Sequence, residues 1–118
     1  MSVTEFFLIG VHVLLAWVMI EAFVNLAHHL SRPTFIVWHY LVDVVAFFGM
    51  FWVFFTCFHG TSSVFAVTAV GMTFVLFYEM IVFRYLYCGD RWFLNWVDWI
   101  VPMFLVLSSM YAAGVLFA

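Results

Sequence analysis

The stretch FIVWHYLVDVVAFFGMFWVFF, residues 35–55, is almost wholly apolar, yet near its start it carries His39 and Asp43 four residues apart. As a helix rising about 1.5 Å per residue, it is long enough to cross a hydrocarbon core about 30 Å thick. Spacing of i and i+4 puts the imidazole and the carboxylate on one helical face. A charge at mid-membrane costs about 2.5–3.5 kcal/mol on insertion scales, so a lipid-crossing segment retains such a pair only where it has partners or a use.

Outward from this stretch the same texture continues. Of 118 residues, 69% are hydrophobic and 8% charged, and neither Lys nor Gln occurs. A water-soluble domain is close to half apolar and a quarter charged, so this chain lacks the residues for a water-facing surface. Composition therefore predicts an integral membrane protein and excludes a nucleic-acid-binding one. HHLSRPT (28–34), CFHGTSS (57–63) and YCGDRW (87–92) punctuate the chain, with Pro33 biasing Arg32 away from helix. Four apolar segments remain, near 5–30, 34–58, 62–87 and 92–117. Each is long enough to span, and segments in lipid must satisfy their own backbone, so each is predicted to be helical. The expected fold is an all-α integral membrane protein of four transmembrane helices, arranged as two antiparallel hairpins (1–59 and 60–118) within a single membrane domain with no soluble part.

The opening MSVTEFF has no basic residue, and Glu21 interrupts the first apolar run, so that run reads as a retained helix rather than a secretory signal. Arg32, Arg84 and Arg91 fall on one side of this topology. The positive-inside rule assigns that side to the cytoplasm or matrix, leaving both termini on the periplasmic or intermembrane side. Cys57 and Cys88 fall at opposite ends of the hairpins, so no disulfide is expected between them.

Within this frame the polar residues sort by depth. Glu21, Asn25 and His28 share a face of the first helix, His39 and Asp43 a face of the second, Glu79 lies on the third, and Asn95 and Asp98 lie on the fourth. All sit toward the arginine side, so every helix brings a carboxylate to similar depth. The other half offers His12, hydroxyls and His59 at its edge. Two explanations compete: polar residues that tie the helices together, or a convergence serving a proton or ion path. Di-metal bundles use a Glu-x-x-His repeat, which is absent, so no metal ligand set is predicted. His28 or His29 could level with His39 for a haem, but the short turn beside them leaves little room for a porphyrin.

GVHVLLAWVMI (10–20) and VWHYLVDVVAFFGMFWVFF (37–55) together resemble the last two transmembrane helices of cytochrome c oxidase subunit III, over about residues 6–56. Gly10, His12 and Val13 match that family's Gly-x-His-Val motif. Trp38, His39, Asp43, Val44 and Val45 match its Trp-His-Phe-x-Asp-Val-Val motif, with Tyr40 for Phe and one residue inserted before the Asp. The earlier helices of subunit III are missing, the stretch between the motifs is short, and residues 60–118 match no part of the family. The resemblance implies a split or reduced, non-catalytic subunit of a respiratory terminal oxidase in the mitochondrial inner membrane or a bacterial plasma membrane. It would bind no cofactor itself, pack against a catalytic subunit that carries haem a and copper, hold phospholipid, and have other membrane subunits of a respiratory complex as partners. Two functions of other classes remain: a small proton-coupled transporter exchanging at Glu21, Glu79 or Asp98, and a metal- or haem-binding redox protein.

Overall fold

In a computed structural model, which describes residues 1–27, 29–85 and 99–118, all regular structure is helical. Helix α1 runs Val3–Ala27, α2 Arg32–Val53, α3 Val64–Tyr85 and α4 Val101–Phe117, and α2 runs on into a wider π-helical turn, Phe54–Phe58. Each start has a local cause. The Ser2 hydroxyl accepts the Glu5 N–H at 3.1 Å, and the Ser63 hydroxyl accepts the Ala66 N–H at 3.1 Å, satisfying donors that a helix start leaves open. Pro33 and Pro102 stand in the first turns of α2 and α4, where a missing N–H costs nothing.

The observed bounds differ from the expected ones by a few residues. Arg32, expected outside the helix, is the first residue of α2, because the first turn tolerates the proline that follows it. Helix α1 is described to Ala27 and has given way to a turn by His29, with the Leu30 N–H bonded to the Ala27 carbonyl at 3.0 Å. The π-helical turn has no counterpart in the apolar pattern. Its wider winding brings the consecutive rings of Phe54 and Phe55 both into the interior.

Helix α1 packs against α2 and α3, and α4 packs against α3 and, most extensively, against α2, so the main contacts follow a ring α1–α2–α4–α3. The interior is filled by Ile9, Val13, Phe47, Phe51, Phe54, Val67, Val75, Val106 and Met110. The outer faces are also apolar: Phe7, Leu26, Val37, Phe65, Met80 and Leu116 are all exposed. Val3–Ala27, Arg32–Phe58 and Val64–Ile81 are long and apolar enough to cross a membrane, and α4 is a shorter apolar helix of 17 residues. At most 33% of the most apolar stretch of any of those three spans is buried inside the bundle, so the greater part of each is at least partly exposed. Such apolar helices point to a membrane protein.

An acidic chamber inside the bundle

Each helix gives one face to a cavity of about 330 Å³. From α1 come Trp17, Ile20, Glu21 and Val24, spaced i, i+3, i+4 and i+7. From α2 come Arg32, Phe35, His39, Asp43 and Phe47, a stripe that steps three or four residues at a time. From α3 come Val75 and Glu79. Trp99, Pro102, Met103 and Val106 complete the wall from α4 and the turn before it.

Three carboxyl groups from three different helices thus surround one space, with Arg32 as the cation among the lining residues. Asp43 is 2% and Glu79 7% exposed. One oxygen of each has a defined neighbour. The Trp17 Nε1–H donates to Glu79 Oε1 at 3.1 Å, tying α1 to α3. His39 Nε2 lies 3.5 Å from Asp43 Oδ1 along α2, within ion-pair reach when the imidazole is protonated and too long for a short hydrogen bond. The second oxygens, Asp43 Oδ2 and Glu79 Oε2, are buried and make no hydrogen bond within 3.5 Å among the described residues, although the Trp99 indole stands near Glu79 as a further donor.

A helix cannot repair that shortage by itself. Its backbone N–H groups are already spent on its own ladder, and an ionised carboxylate only accepts. Such an oxygen needs a proton of its own, a donor from elsewhere, or a cation. Carboxylates of like charge sharing one cavity repel when ionised, and either a proton or a bound cation relieves them.

The residues singled out from sequence fall into three groups. Glu21, His39, Asp43 and Glu79 meet in this chamber. Asn25 is exposed and off its wall. His28, Asn95 and Asp98 lie outside the described residues, as do Cys88 and Arg91, while Cys57 is a free, exposed thiol. The subunit III-like positions divide as well. His39 and Asp43 face the chamber, whereas Trp38 is 49% exposed on the outside. Gly10 lets α1 approach α3 closely: a Cβ there would lie 2.8 Å from the Phe74 ring, and the Tyr78 hydroxyl donates to the Gly10 carbonyl at 2.9 Å. His12 is buried, and its Nδ1–H donates to the Leu8 carbonyl at 2.7 Å. Among the described residues no three His, Cys, Asp or Glu side chains are grouped closely enough to hold a metal ion.

Sequence reasoning passed over three residues that matter. Trp17 stands one turn before Glu21, a spacing that could have marked it as part of the same face. Trp99 carries no such signal in a chain with 6 Trp. Glu5 is 5% exposed and accepts from the Ser62 hydroxyl at 3.1 Å. Its one local sign is the Ser2-x-x-Glu5 spacing of a helix start. Comparison of the chain with protein-family models, with curated proteins and with solved structures finds no match.

Proposed function

We propose that this is a membrane protein that binds and releases a proton or another cation in the acidic chamber, with Asp43 and Glu79 as the exchanging carboxyl groups and Glu21 beside them. In this reading the four helices cross the bilayer as two antiparallel hairpins. One observation carries it: two buried carboxyl groups from separate helices face one cavity, each with an oxygen that makes no hydrogen bond within 3.5 Å among the described residues. Polar residues that served only to join helices would be expected to satisfy each other. The test is infrared spectroscopy of the protein in lipid nanodiscs during a pH titration between about pH 5 and 9, a range over which buried carboxyl groups are known to titrate. A protonated-carboxyl band that titrates, and that Glu79→Gln or Asp43→Asn reduces while Glu5→Gln does not, supports the assignment. A spectrum without any titrating carboxyl overturns it.

A second reading is the accessory subunit of a respiratory terminal oxidase, and it rests on the subunit III-like motifs. It is favoured by the inward placement of His39 and Asp43 and by the close α1–α3 approach at Gly10, since motif residues at such positions carry packing or chemistry. In that setting the chain packs against a catalytic subunit with haem a and copper and against phospholipid, in the mitochondrial inner membrane or a bacterial plasma membrane. Gentle extraction, native gel separation and a reduced-minus-oxidised spectrum decide it. Co-migration with a large haem-containing complex supports the subunit reading, and a small colourless band removes it.

A further inference from the structure

Resting on the chamber reading above, we infer that the chamber accepts an organic ammonium ion, its charge between Asp43 and Glu79 and its hydrocarbon body against the Trp17, Phe35 and Trp99 rings. Three observations narrow the ligand to this class. Net charge comes first: among the described lining residues Glu21, Asp43 and Glu79 outnumber Arg32, even with His39 protonated, so a positive occupant is favoured over a negative one.

Geometry comes second. The carboxyl groups share one cavity, yet no three acidic, imidazole or thiol side chains among the described residues are close enough to ligate a metal ion. A metal ion held by protein side chains alone needs such a set at about 2.0–2.6 Å. The described lining is therefore better matched to a larger cation than to a bare metal ion. At roughly 30 Å³ of liquid volume per water, a cavity of about 330 Å³ suits a ligand with on the order of ten non-hydrogen atoms.

The wall comes third. Trp17, Phe35, Phe47 and Trp99 line the chamber together with aliphatic side chains. Aromatic faces attract ammonium groups, most strongly where water is excluded, and an apolar lining with a few placed charges is typical of small-molecule sites. Hydrated inorganic ions gain little from such a wall. Uptake is an exchange in which charge balances: a carboxyl O–H of Asp43 or Glu79 gives its proton to the aqueous phase, and the carboxylate left behind pairs with the ammonium.

The probe is benzyltrimethylammonium, and its neutral control is neopentylbenzene, which has the same shape. Both are titrated into the purified full-length chain in nanodiscs, followed by tryptophan fluorescence and by proton release into weak buffer. Saturable binding of the cation with proton release, and no comparable binding of the neutral control, is expected. Asp43→Asn and Glu79→Gln should each weaken binding about tenfold or more, with Glu79→Asp recovering part of the loss, and Glu5→Gln should leave it unchanged. Equal binding of neopentylbenzene would overturn the inference, as would Mn²⁺ binding that excludes the ammonium. No binding of the ammonium, while the infrared carboxyl band still titrates, overturns the inference and leaves the proton reading standing. If the band does not titrate either, both fail.

Discussion

The two ends of this bundle handle polar groups in opposite ways. Toward the α2–α3 connection the interior is a plug of rings. Phe51 and Phe54 are fully buried, Phe54 and Phe55 pack edge to face with centroids 5.3 Å apart, and His12 lies 5.6 Å from Phe54. The buried polar side chains there are mostly donors, and each returns its proton to its own helix. His12 donates to Leu8, Thr68 to Val64 and Ser109 to Leu105, all four residues back. Such residues need no partner from another helix, so the space between helices can close. Toward the α1–α2 turn the buried groups are His39 and the carboxyls of Asp43 and Glu79, which when ionised accept only and find no free N–H on their own helices. There the space stays open, and the helices surround a chamber. Glu5 stands between the two cases: its Oε2 accepts from Ser62 and lies against Gly60, where a Cβ would come within 2.7 Å of it, while its Oε1 is buried with no hydrogen-bond partner among the described residues.

The contrast can be broken by substitution at each end. Phe54→Ala in the plug should lower stability by about 2 kcal/mol in reversible unfolding from mixed micelles. That is less than the 3–5 kcal/mol typical of such a change in a soluble core, because in lipid the transfer contribution falls away and the lost contacts remain. An unchanged unfolding midpoint would mean that the plug is not close-packed. Asp43→Asn in the chamber keeps the shape and removes the charge. It should change stability by less than about 1 kcal/mol, in either direction, since the amide has the carboxyl's shape and His39, neutral beside it, leaves no unpaired buried charge. A loss as large as that of Phe54→Ala would show that the chamber is an architectural joint and not a site.

This division also explains what could be read before the fold was known. The four apolar segments and their breaks were legible, because a bilayer imposes a minimum length and a near-complete exclusion of charge. The meeting of Glu21, His39, Asp43 and Glu79 was legible as a shared depth, since each polar residue stands out against apolar neighbours. Which faces of the helices meet was not legible. Helices apolar all round, as α1 and α4 are, carry no stripe that separates an interior face from a lipid face. For the same reason Trp17 and Trp99 were hidden among other aromatics, and the ring order α1–α2–α4–α3 could not be told from connection lengths. The π-helical turn at Phe54–Phe58 was hidden too, because a run of phenylalanines reads alike in either winding. Glu5 was missed because its partner Ser62 is 57 residues away in sequence.

The smallest expected effect is at Gly49, and it tests the outer surface. A Cβ built there meets nothing within 4 Å, unlike Gly71, where it would lie 2.7 Å from Met110 Sδ. In water, Gly→Ala within a helix gains about 1 kcal/mol from backbone propensity. In a micelle the separated helices remain helical, so most of that gain cancels against the reference state. For the purified chain, Gly49→Ala should therefore shift stability by less than about 0.5 kcal/mol. The same variant expressed in its native membrane gives a sharper result when its recovery on a native gel is measured. If Gly49→Ala is neutral there as well, this face of α2 meets lipid. If the purified chain is unaffected but its recovery in a large complex falls, another protein's helix lies against Gly49, as the oxidase-subunit reading requires and a free-standing cation-binding bundle does not.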